Sequence, residues 1–153
     1  MASPRRALVP LLLLCAALAL IACGSNEEDN DYVEQVNGIQ EQLVDDVTET
    51  VSGAPPANPK AAAEVAGELE GVFASTADEL DALERPQDVA DLHDELVSAI
   101  RGVGARIGEA EKAFASGSSK QAARAALELQ TATTDLQPQL TALIDDINAQ
   151  LRE

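Results

Sequence analysis

"VADLHDELVSAIRGVGARIGEAEKAF", residues 89–114, decides the fold. Its apolar residues stand at Val89, Leu92, Leu96, Ile100, Val103, Ile107, Ala110 and Phe114, in steps of three and four. A helix turns once in 3.6 residues, so these side chains share one face, whereas a strand would alternate at every second residue. Acidic and basic residues fill the positions between them. The stretch is an amphipathic helix that must bury one side.

The same period continues on both flanks. Upstream, Tyr32, Val36, Ile39, Leu43, Val47 and Val51 recur at helical spacing until "SGAPPANP" (52–59) stops them. Asn58 followed by Pro59 supplies a cap and a first-turn proline for the next helix. That helix carries Val65, Leu69, Val72, Thr76, Leu80 and Leu83, with Phe73 beside the stripe, and ends near Arg85-Pro86. Downstream, "SGSS" (116–119) breaks the third helix, and Ser118 with Gln121 has the spacing of a capping box. The fourth stripe runs through Ala126, Leu129, Thr133, Leu136, Leu140, Leu143, Ile144, Ile147 and Leu151. Pro138 lies inside it; a proline costs about 3 kcal/mol in a helix interior. A kink is expected there, a break into two helices being the rival reading.

Four such helices joined by short turns predict an all-α fold, an antiparallel four-helix bundle about 35–45 Å long. The expected spans are roughly 30–52, 59–85, 86–115 and 119–152. A three-helix bundle with the first helix loose is the alternative. The domain is expected over 32–153, preceded by a flexible acidic tether, "GSNEEDND" (24–31).

The first residues have a different character. Arg5 and Arg6 precede the apolar run Ala7–Ala22, 16 residues long and interrupted by Pro10. A spanning helix needs about 20 apolar residues, and a basic start followed by a short apolar run marks a secretory signal peptide. The closing residues Leu20-Ile21-Ala22-Cys23 resemble the lipobox of bacterial lipoproteins. The resemblance implies cleavage between Ala22 and Cys23, a signal peptide over 1–22, and a lipid-modified Cys23 as the new N-terminus. An ordinary cleaved signal and an uncleaved anchor helix are the bland alternatives. Two or more acyl chains, at about 0.8 kcal/mol per buried CH₂, hold a protein firmly. The twin-arginine route matches poorly, because Pro4 precedes the pair and its other signature residues are missing. On this reading the protein is lipid-anchored on the extracytoplasmic face of the cell membrane.

Charge narrows the partners. The chain has 27 acidic and 10 basic residues, net −17, and loss of residues 1–22 removes only Arg5 and Arg6, leaving −19. Residues 24–84 hold 16 acids against Lys60 alone. Such a field repels nucleic acid and anionic lipid. With no Trp, one Tyr and two Phe there is also nothing for bases to stack on. Cys15 leaves with the signal, so no disulfide is expected and the core alone must hold the fold.

Few residues offer chemistry. His93, the only histidine, stands among Asp88, Asp91, Asp94 and Glu95, about 60° from the centre of its helix's stripe. A histidine amid carboxylates can serve as base or metal ligand. Here no nucleophile has a readable relation to it, and a di-iron bundle would need a second histidine, so a structural or surface role is expected. The acid groups Asp45-Asp46, Asp78-Glu79-Asp81 and Asp145-Asp146 lack the loop spacing of a calcium site and read as solvated helix faces. Gly67-x-x-x-Gly71 and Gly104-x-x-x-Gly108 have a close-packing spacing, with the first pair opposite its own stripe. Arg101, Arg106, Lys112, Lys120 and Arg124 are expected to dock against the acidic first and second helices.

The chain thus resembles the small, acidic, helical lipoproteins of bacterial envelopes. The tether length, the rigid bundle and the missing catalytic set lead us to expect a non-enzymatic interaction or scaffold module with an envelope protein as partner, and no cofactor. A small-ligand or metal-binding helical bundle is the alternative.

Overall fold

The computed structural model describes residues 27–53 and 56–152, with backbone alone at 132, 133 and 135–137. Cys23, Ala22 and the signal segment lie outside the described residues. Four helices follow one another: α1 (Glu27–Val51), α2 (Pro59–Asp81), α3 (Ala90–Ala115) and α4 (Ser119–Gln150), with a 3₁₀ turn at Gln87–Val89 before α3. At 1.5 Å per residue the 26 residues of α3 span about 39 Å. The antiparallel four-helix expectation holds, and no described helix is long and apolar enough to cross a membrane.

The termini follow local chemistry. Asn58 caps α2, its Oδ1 accepting from the Ala61 N–H at 3.0 Å, with Pro59 in the first turn. Gly117 takes φ +70°, the left-handed conformation that ends α3 without a β-carbon penalty. Ser118 caps α4 through Gln121 N–H at 3.4 Å, but the Gln121 side chain turns to the Ser116 hydroxyl at 2.7 Å, so only half of the expected box forms.

Three boundaries differ from expectation. Residues 27–31, expected in the tether, form the first turns of α1, and Asp29 is buried. Glu27, Glu28 and Asp29 there complement the positive end of the helix dipole. α2 stops at Asp81, not 85, because Pro86 demands an extended approach and the chain must reverse within a few residues. α3 becomes regular only at Ala90, after the 3₁₀ turn. α4 runs through Pro138 as one helix, so the break into two does not occur.

α2 and α3 form the tightest pair. A β-carbon on Gly104 would stand 3.3 Å from Phe73 Cβ, and one on Gly108 would stand 2.6 Å from the Glu70 carboxyl carbon. Gly104 thus admits α2 closely, whereas at Gly108 only the flexible end of the Glu70 side chain is near. Gly67 faces Glu111 at ordinary contact distance and Gly71 faces open space. The core face of α2 is centred on Ala66, Leu69, Phe73, Ala77 and Leu80, leaving Val65 and Val72 half-buried. Expectation had put those two valines in the stripe and Phe73 beside it. The Phe73 Cβ lies against Gly104 of α3, where the helices approach closely.

The four helices share one core. Val36 and Leu43 of α1, Thr76 and Leu80 of α2, Leu96 and Ile100 of α3, and Ile144 of α4 meet around a void of about 10 Å³. A fully buried side chain such as Ile107 stabilises the fold by about 1.5–3 kcal/mol. In α4, Leu140, Ile144, Ile147 and Leu151 are buried as expected, Leu129 and Leu143 only partly. The Thr133 and Leu136 side chains lie outside the description.

Candidate functional site

α3 presents a second row beside its main stripe: His93 and Val97, one turn apart, are both buried. The shoulder position expected for His93 is real, but it is inside the protein. The ring is fully buried, so the surface half of the expected role does not hold. α1 places Tyr32 opposite it, 1% exposed. Tyr32 Oη lies 3.1 Å from His93 Nδ1, and the rings meet edge to face at 5.8 Å between centroids and 61° between planes.

The chemistry of the two groups fixes the direction of that bond. Burial pushes the Tyr32 hydroxyl up to about 12, against a small opposing pull from Arg85, so it keeps its proton. Burial also lowers the proton affinity of His93, helped by the Arg85 charge; the Leu80 carbonyl, Asp94 and Asp81 oppose more weakly. A neutral ring next to a protonated phenol is best served when Tyr32 O–H donates to Nδ1 and the ring proton sits on Nε2. Nε2 is buried and makes no hydrogen bond of regular geometry, although the Leu80 carbonyl lies close enough to favour the protonated ring.

At the rim, charges are already matched. Arg85 meets Asp94 at 2.9 Å, and Arg101 meets Asp78 at 3.2 Å and Asp81 at 3.0 Å, which ties α2 to α3. The hydrogen bond from Arg101 holds the Asp81 carboxyl below the usual carboxylate range. Of the basic group expected to dock on the acidic helices, Arg101 does so. Arg124 instead pairs with Glu128 of its own helix at 2.7 Å; no ion pair to α1 or α2 is seen for Arg106, Lys112 or Lys120 among the described residues.

Asp45, Asp145 and Asp146 are exposed, and Asp78 and Asp81 are taken by Arg101. Among the described residues no three His, Cys, Asp or Glu side chains converge as metal ligands. The partnership of Tyr32 with His93 was not foreseen. Both residues stand in the first turns of α1 and α3, which run in the same direction in the up-and-down bundle, but spacing within either helix gives no sign of the meeting.

Compared with known proteins, the chain matches no family model, no curated protein and no solved structure.

Proposed function

We propose that the chain is an extracytoplasmic lipoprotein held to the cell membrane through Cys23, whose helical bundle acts as a non-enzymatic interaction or scaffold module of the envelope. The observation that carries this reading is Leu20-Ile21-Ala22-Cys23 behind a basic start and a 16-residue apolar run. The partner is an envelope protein, met on a surface too acidic for nucleic acid. The burial of Tyr32 and His93 supports a non-enzymatic role, since the pair is enclosed and shut off from a substrate.

A ligand enclosed in the bundle centre is less well supported, because the space where the four helices meet is about 10 Å³, the lower limit for one water, and the larger spaces, such as that of about 390 Å³ between α3 and α4, are open surface clefts. The test is fractionation of cells producing the full chain or Cys23→Ala, followed by cross-linking in native membranes. Wild type in the membrane fraction, the variant released, and one reproducible cross-linked partner lost with release are the expected results. A variant that stays in the membrane overturns the anchor. Recovery of the protein alone overturns the scaffold role.

A further inference from the structure

The scaffold reading leaves one buried polar pair without a purpose. We propose that Tyr32 and His93 form an acid-sensitive latch: a neutral His93 holds α1 against α2 and α3, and uptake of a proton by the ring releases α1. This inference does not depend on the lipid anchor.

The geometry argues for it first. Nδ1 accepts the Tyr32 hydroxyl in a fully buried site. A protonated ring has N–H on both nitrogens. With Nε2 already carrying a proton in the neutral ring, the added proton goes to Nδ1, where it would turn the phenol from donor to acceptor and strand its O–H in a buried site; near Nε2 only the Leu80 carbonyl favours the charged ring.

The surrounding charges do not rescue the cation. From α2, Asp81 attracts it but is bound by Arg101 at 3.0 Å. On its own helix, Asp94 attracts it but is bound by Arg85 at 2.9 Å. Arg85, in the turn before α3, repels it. From α1 come Tyr32 and, about one turn earlier, the buried Asp29. α4 brings the buried, uncharged Asn148 and the exposed Arg152 to this end of the bundle.

α1 is the element that yields. α2 and α3 are joined by the close contact of Gly104 with Phe73 and by the Arg101 ion pairs. α1 carries nine acidic residues and no basic one. Once α1 leaves, the ring meets water and regains an ordinary affinity near 6.5. The closed form resists the proton and the open form accepts it, so opening grows as pH falls below about 6.5, by at most about tenfold per pH unit. Release would uncover Val33, Val36, Leu43 and Val47 of α1.

Tyr32 is the chain's only tyrosine and there is no tryptophan, so tyrosine fluorescence reads the latch directly. The experiment is acrylamide quenching of full-length protein in neutral detergent between pH 7.5 and 5, alongside far-ultraviolet circular dichroism. The expected result is a reversible rise in quenching with most of the helical signal kept, absent in His93→Gln, which offers an acceptor that does not titrate. Amide hydrogen exchange of the wild type, corrected for intrinsic rates, decides the matter even where that variant does not fold. α1 amides should lose protection on acidification while α3 amides around Ile100 keep it. Unchanged quenching, a step that persists in a folded His93→Gln, or loss of protection in α1 and α3 together overturns the latch.

Discussion

Gly104 of α3 lies against Phe73 of α2, and a β-carbon built there would be crowded, 3.3 Å from Phe73 Cβ and 3.8 Å from the Glu70 carbonyl oxygen. Both neighbours belong to a helix backbone or are fixed to it, so neither moves without the helix. Gly104→Ala should therefore destabilise the fold by about 1 kcal/mol, overpacking outweighing the better helix propensity of alanine. Gly71 faces open space on an exposed helix surface, and Gly71→Ala should stabilise by about 0.5–1 kcal/mol. Opposite shifts in the urea midpoint are the readout. Equal shifts would mean that α2 and α3 are not this close.

The Tyr32–His93 bond predicts a signature in paired substitutions. Tyr32→Phe leaves a buried nitrogen without its donor, at a cost of about 1–3 kcal/mol. His93→Leu leaves the phenol without an acceptor at a similar cost. The double variant removes both polar groups and should lose less than the two single losses together, by about 1 kcal/mol or more. Chemical denaturation at pH 7.5 measures all three, and strict additivity would rule the bond out.

Acid acts at the rim in a different range from the core. The Asp81 carboxyl titrates lower in the fold than in the open chain because Arg101 bonds it. Its contribution is therefore present above the ordinary aspartate value near 3.9 and lost as pH falls below it. Arg101→Gln should flatten the stability profile below about pH 4 and leave the slope between pH 7 and 5 unchanged. Thermal melts across pH 2.5–7.5 separate the two windows. Added salt should shrink the Arg101 effect, since the pair is exposed.

Pro138 is exposed inside a continuous helix. It denies the turn before it one backbone donor, so Pro138→Ala should stabilise α4 by about 1–3 kcal/mol. A raised midpoint without change in oligomeric state is the expected outcome. A drop would mean that the proline shapes the helix to fit its neighbours.

Much of this architecture is legible in the residues. The steps of three and four around Ile100 dictate a helix, and Asn58-Pro59 and Ser118 mark starts that the structure uses. The inward face of α2 is legible through Leu69, Thr76 and Leu80, all buried, but its centre is not, because Val65 and Val72 are as apolar as Leu69 and nothing in the spacing favours Phe73 over them. The start of α1 is hidden for a related reason. Glu27, Glu28 and Asp29 read as solvated tether until the helix dipole gives them a use. The burial of His93 depends on Tyr32 arriving from another helix, and one-dimensional spacing carries no information about that meeting.

α1 begins at Glu27, and that early start turns a leash into a post. With Cys23 as the anchoring point proposed above, the four residue steps from Cys23 to Glu27 span at most about 14 Å. An eight-residue leash would let the bundle wander over a wide patch of membrane. A link this short keeps the α1 N-terminal end, with Tyr32 and His93, close to the headgroups and fixes the height at which any partner must meet it.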